Sequence, residues 1–188
     1  YKEEEFKFFL EDTNARVLLL PPDGGEAARR AAGDSVPVFT LDMDATGTTS
    51  ISGVETTRRA AVPALDDVAL ILHTSGSTGR PKRVPLKHAN LSISAQNIVR
   101  SYQLTAEDVS LCVMPLFHVH GLVASTLATL ASGGTVVVPG KFNPLSFWRV
   151  AKDTGATWYS AVPTIHQLLV ARKSSERDRK STRLNSSH

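Results

Sequence analysis

Thr74, Ser75, Gly76, Ser77, Thr78 and Gly79 run together in the chain, and Lys82 follows three residues after the second glycine. Small residues let successive backbone N–H groups converge on one point. Glycine allows the φ > 0 turns that shape an anion-binding nest, and the four hydroxyls add further donors. Lys82 supplies a compact positive charge within reach of the same point. This is the chemistry of a polyphosphate cradle. It differs from the Walker A loop, G-x-x-x-x-G-K-[ST], because Gly76 and Gly79 are three apart and Pro81 precedes the lysine. Proline there disfavours helix at Arg80, so no helix starts where that of a P-loop would. Taken as composition alone, the same cluster also suits a flexible Ser/Gly surface turn.

A second chemical stretch is Pro115 to Gly121, PLFHVHG, at the end of a strand pattern and before a helical one. Ligands of open α/β sheets bind beyond the carboxyl ends of strands. His118 and His120 are two apart and share a face if the segment is extended. A metal site needs more ligands, and the nearest, His88 and Cys112, make no recognisable pattern. No metal is assigned, and on spacing alone these are two structural histidines. Lys141, in Gly140-Lys141-Phe142, reads by itself as a solvated side chain. Val162-Pro163-Thr164 opens a helix, with proline at its first turn.

The elements that must hold these groups follow from periodicity. Tyr1 to Asp12 has Phe6, Phe9 and Leu10 on one helical face. Arg16–Leu20 and Val36–Thr40 read as strands on either side of an alanine-rich helix, Gly24–Ala32. The rhythm is that of an α/β sheet with parallel crossovers. Residues 41–63, rich in Thr, Ser, Gly and Ala, read as a surface connection. Val68–His73 is the buried strand that feeds the hydroxyl-rich loop, and Arg83–Leu86 a short extended exit. Helix is expected over Lys87–Tyr102, Leu122–Ala131, Pro144–Lys152 and Pro163–Arg172, and strand over Val109–Met114, Thr135–Val138 and Thr157–Tyr159.

The 188 residues suffice for one domain with a real core. A single cysteine, Cys112, excludes an internal disulfide and fits a reducing compartment. No apolar run approaches the ~20 residues of a membrane span. The net charge of +3 comes largely from the last eleven residues, Asp178 to His188, which carry Arg179, Lys180 and Arg183 against one acid. The remainder has no basic patch, so nucleic acid is not an expected partner. Residues 178–188 lack apolar periodicity and read as disordered or non-native. The chain also opens in mid-pattern, as an internal piece of a larger protein would.

The string HTSGSTGRPK, His73 to Lys82, closely resembles the signature of the acyl-adenylate-forming (AMP-binding) family, which includes acyl-CoA synthetases, luciferases and peptide-synthetase adenylation domains. The resemblance covers about Tyr1 to Ala171. It implies an α/β fold, an incomplete part of the family's large N-terminal domain with sheets flanked by helices, over residues 1–177. It further implies that Thr74, Ser75, Gly76, Ser77, Thr78, Gly79 and Lys82 bind the β- and γ-phosphates of ATP. His118, His120 and Gly121 would line the acyl-adenylate pocket, with His118 and Lys82 assisting catalysis and Lys141 contacting CoA phosphates. ATP, Mg²⁺ and coenzyme A are the expected cofactors and substrates, with a small carboxylate as partner, in the cytoplasm or the peroxisome. Within the family the wording is most similar to oxalate–CoA ligases, in HTSGSTGRPK-x-VPL, in Met114–Leu122 and in Ala156–Gln167. Two imidazoles suit a small dianion such as oxalate. The alternatives are a 4-coumarate-like or fatty-acyl-CoA ligase and a non-catalytic nucleotide-binding module. Two departures stand out. Arg83 sits where most relatives have glycine, and the family's later motifs for adenine, ribose and the assisting C-terminal lysine are not in this chain, so the fragment alone is expected to be inactive.

Overall fold

The structure, a computed structural model, describes residues 1–53, 61–74 and 81–172. The expected cradle residues Ser75, Gly76, Ser77, Thr78 and Gly79, and the tail 178–188, lie outside the described residues. The chain divides into two compact units, Tyr1–Pro63 with His73–Val84, and Ala64–Leu72 with Pro85–His188.

In the first unit, α1 (Glu3–Asp12) begins with three glutamates in its first turn, where the helix dipole favours negative charge. The Tyr1 ring stands edge-on to Phe6 and Phe9 at 5.7 and 5.5 Å. Strand β1 (Leu18–Leu20) passes through α2 (Glu26–Ala32) to β2 (Val38–Met43), and the two strands pair in parallel, Leu18 opposite Val38. Ala28, Ala32 and Leu20 are buried; the small alanines let the helix approach closely.

The expected connection over residues 41–63 holds a hairpin instead. Strand β2 runs on to Met43, and β3 (Thr49–Ser52) pairs back antiparallel, Leu41 opposite Ile51. The turn is set by Asp44, whose Oδ1 accepts from the amides of Thr46 and Thr48 at 2.8 and 2.9 Å. Gly47 closes it at φ +84°. Those same donors, with the Thr46 hydroxyl foremost, hold the Asp44 carboxyl below its ordinary pKa. Every residue of β3 is exposed, so no apolar stripe marks it in the sequence.

Strands β4 (Val68–Thr74) and β5 (Lys82–Lys87) form a two-stranded sheet. In the second unit, α3 (His88–Tyr102) leads to β6 (Val109–Leu111), which pairs in parallel with β7 (Thr135–Val137). Between them lies a helix whose first part, His120–Leu127, is π-wound and whose last turn, α4 (Ala128–Ala131), is α. Helix α5 (Phe147–Asp153) starts three residues later than expected, and residues 163–172 are helical. Leu111, Val113, Phe147 and Leu169 form the main core cluster, and Ala95, Leu104 and Ala128 a second.

Several expected strands shrink, β1 to Leu18–Leu20 and β7 to Thr135–Val137 among them. The β6 ladder stops at Leu111; Cys112 N–H still donates to the Val137 carbonyl at 2.9 Å, but Pro115, without an N–H, turns the chain away. Residues 157–159 contribute one parallel bridge, Ser110 to Trp158, with the Leu111 amide donating to the Trp158 carbonyl at 3.0 Å. Among the described residues, no helix is long and apolar enough to cross a membrane.

Candidate functional site

The first unit carries the two ends of the hydroxyl-rich loop. Thr74 is the last residue of β4 and Lys82 the first of β5, both exposed. Their neighbours are tied down. His73 Nε2 lies 2.9 Å from Asp12 Oδ2, and Arg83 Nε lies 3.8 Å from the same oxygen. Arg83 Nη1 also donates to the Asp12 carbonyl. Phe9 covers the His73 ring at 4.7 Å. The sequence reading passed over this cluster, because its members are 61 and 71 positions apart.

The second unit carries Pro115 to Gly121, which is a tight turn rather than an extended segment. The His118 amide donates to the Pro115 carbonyl at 3.2 Å, and the Leu122 amide to the His118 carbonyl at 3.0 Å. His118 and His120 therefore do not share a face as an extended strand would have it. The His118 side chain is exposed, its ring tilted against Phe117 at 4.5 Å. His120 is half-buried, and its Nε2 lies 2.8 Å from Ser160 Oγ. That contact fixes the ring's direction and leaves Nδ1 as its second polar atom. Ser160 was missed in the sequence, although it lies within Ala156–Gln167, one of the stretches that carry the family resemblance.

Gly121 is required by close approach. A Cβ on it would lie 2.4 Å from the Pro115 carbonyl oxygen and 2.6 Å from that of Met114. The Gly121 carbonyl accepts from the Thr126 hydroxyl at 3.0 Å, five residues on, inside the π-wound segment. Such wide turns are uncommon and are frequent at functional sites. Buried Cys112 sits behind this turn, with its Sγ 3.4 Å from the Met114 carbonyl and 3.7 Å from that of Gly121.

Lys141 stands at an open, largely apolar cleft of about 620 Å³ lined by residues 112–116, residues 138–142 and Ile165. The cleft takes in Pro115 and Leu116 but neither histidine. A mainly apolar cleft with one charged group is a common binding-site design. At the other end of β6, Asp108 accepts from the Thr105 amide at 2.7 Å and the Thr157 hydroxyl at 2.8 Å. These donors, the amide first, lower the pKa of its carboxyl. Among the described residues, no group of three or more His, Cys, Asp or Glu side chains could hold a metal ion.

A family model described as AMP-binding enzyme matches residues 1–187. The chain is similar to an oxalate–CoA ligase of Arabidopsis thaliana, 41% identical over 184 residues, covering 93% of this chain and 36% of the relative. It is 43% identical over 182 residues to a probable CoA ligase, CCL9, of Humulus lupulus, covering 92% of this chain and 35% of that one. Among solved structures it resembles ATP-bound MatB of Rhodopseudomonas palustris at a TM-score of 0.74 and 28% identity, over 90% of this chain and 34% of MatB. The chain thus spans about a third of the length of the curated relatives it matches.

Proposed function

The chain belongs to the AMP-binding enzyme family, and on that premise we propose that it is part of an ATP-dependent carboxylate–CoA ligase acting on oxalate. The observation that carries the substrate is the 41% identity to an oxalate–CoA ligase, together with two histidines in the Pro115–Gly121 turn, one of them oriented by Ser160.

In the proposed reaction a carboxylate oxygen attacks the α-phosphorus of ATP. The bond from that phosphorus to the bridging oxygen breaks, giving acyl-AMP and pyrophosphate. The thiol sulfur of CoA then attacks the acyl carbon, loses its proton, and expels AMP. Thr74 and Lys82, with Ser75, Gly76, Ser77, Thr78 and Gly79 between them, would hold the β- and γ-phosphates and stabilise the departing pyrophosphate. Such charge-assisted contacts are worth about 1.5–3 kcal/mol each. Mg²⁺ would enter on the nucleotide, since it is commonly held by substrate phosphates rather than by an all-protein cage. His120 and His118 would face the acyl group, an imidazole N–H suiting a second carboxylate better than an apolar tail. Lys141, at the rim of an apolar cleft, has the character needed for a phosphate-bearing thiol with a long uncharged arm.

The likeness to a CoA ligase whose name states no substrate supports a second reading, in which the carboxylate is aromatic or fatty-acyl. Carboxylate-dependent exchange of labelled pyrophosphate into ATP, run on the full-length protein with oxalate, malonate, 4-coumarate and a fatty acid, separates these. Exchange with oxalate well above the others is expected; exchange only with 4-coumarate or the fatty acid would move the assignment to the second reading.

A further inference from the structure

The last residue of α1 is an aspartate, at a helix end where negative charge is disfavoured by the dipole. The last turn of α1 holds no basic residue to offset it. Its partners come from elsewhere: the His73 imidazole and the Arg83 guanidinium, whose residues sit immediately outside Thr74 and Lys82. One carboxylate oxygen, Asp12 Oδ2, meets His73 Nε2 at 2.9 Å and Arg83 Nε at 3.8 Å. Arg83 adds a bond to the Asp12 backbone carbonyl. The His73 side chain is only 13% exposed, with Phe9 over its ring.

We infer that Asp12 is a positioning residue for phosphate binding: a single carboxylate that pins both stems of the β4–β5 connection and so fixes where Thr74 and Lys82 stand. The inference rests on the reading of those two residues as phosphate ligands. A lysine on a flexible stem finds a phosphate only as well as its backbone is placed. Two strands held beside their connection by one shared group cannot slide against each other there without breaking its contacts. The clamp also gives Arg83 a task. Glycine at that position could not reach Asp12, so this chain fixes the lysine with a contact that a glycine-bearing relative would lack.

The test has two readouts. Hydrogen exchange at the amides of Thr74, Lys82 and Arg83, measured on this 188-residue chain, follows the pinning itself. KM for Mg·ATP and kcat in pyrophosphate exchange, measured on the full-length ligase, follow its use. Asp12→Asn, which keeps shape and removes charge, is expected to speed amide exchange severalfold and to raise KM for ATP by roughly 3- to 10-fold, with KM for the carboxylate unchanged. Asp12→Glu is expected to restore most of the loss. Arg83→Gly, at an exposed position that leaves the core intact, is expected to reproduce part of the change and to make Asp12→Asn less costly in its presence. Unaltered amide exchange in both Asp12→Asn and Arg83→Gly would overturn the clamp. An unaltered KM for ATP in an active enzyme would overturn its positioning role. A wild-type enzyme inactive with every carboxylate would instead overturn the ligase assignment, and amide exchange would then decide the clamp by itself.

Discussion

Replacing Gly121 by alanine pits helix propensity against packing. The residue lies in a helical segment and is not among the glycines with positive φ, so propensity favours alanine by about 0.5–1 kcal/mol. Packing opposes it. The new methyl would sit 2.4 Å from the Pro115 carbonyl oxygen, 2.6 Å from that of Met114 and 2.8 Å from the Pro115 carbonyl carbon. Carbon contacts are comfortable near ~3.5–4.0 Å, so all three are about 1 Å too short. All three partners are backbone, so no rotamer change relieves them. Overpacking of this kind costs about 1–3 kcal/mol or more, and with backbone on every side the upper part of that range applies. Net destabilisation of about 2 kcal/mol is therefore expected. The assay is urea unfolding of the chain, followed by tryptophan fluorescence and read as a lower midpoint at constant slope. Gly140→Ala is the control, because its added Cβ meets nothing within 4 Å, and it should leave the midpoint in place. A Gly121→Ala chain as stable as wild type would show that propensity wins and that the Met114–Pro115 turn does not press on this helix.

Lys82→Ala should slow carboxylate-dependent pyrophosphate exchange by roughly 10- to 100-fold, the equivalent of one charge-assisted contact; an unchanged rate would remove Lys82 from phosphate binding. Ser160→Ala frees the His120 ring by removing its 2.8 Å partner, and should raise KM for oxalate more than KM for ATP, checked by varying each in the exchange assay. Asp108→Asn should destabilise the chain near neutral pH. The Asp108 carboxyl has its pKa lowered from 3.8 by the Thr105 amide and the Thr157 hydroxyl, so its contribution is present above that value and is lost as pH falls through the folded-state pKa. Wild type and Asp108→Asn should therefore separate in stability above the ordinary carboxylate value and converge as pH falls through the lowered folded-state pKa, as thermal unfolding across pH would show.

Much of the frame was legible in the sequence because it is written locally. The strand that runs to Thr74, the helix of His88–Tyr102 and the parallel pair built around α2 each follow from residues close together in the chain. Strand β3 was illegible for a local reason: all four of its residues are exposed, and only the Asp44–Gly47 turn gives it away. The π-wound stretch was read as an ordinary apolar helix over Leu122–Ala131. Its register comes from Gly121 pressed against Pro115 and from the Thr126 hydroxyl reaching back to the Gly121 carbonyl. The site divides in the same way. Thr74 and Lys82 stood out by type and spacing, and His118, His120, Gly121 and Lys141 through the family resemblance. Their supports, Ser160, Asp12 and His73, are ordinary residues made significant only by contacts 40 and 61 positions apart.

Cys112, the chain's single cysteine, is 2% exposed and touches the Met114 and Gly121 carbonyls. A thiol reagent reaches a sulfur so buried only through local opening of what packs over it, and the Pro115–Gly121 turn is part of that cover. One sulfur therefore reports local opening around the Pro115–Gly121 turn and the cleft beside it. Its modification rate counts openings there without any label being introduced, and a ligand that closes the turn would register as a slower rate even in a chain that turns over nothing.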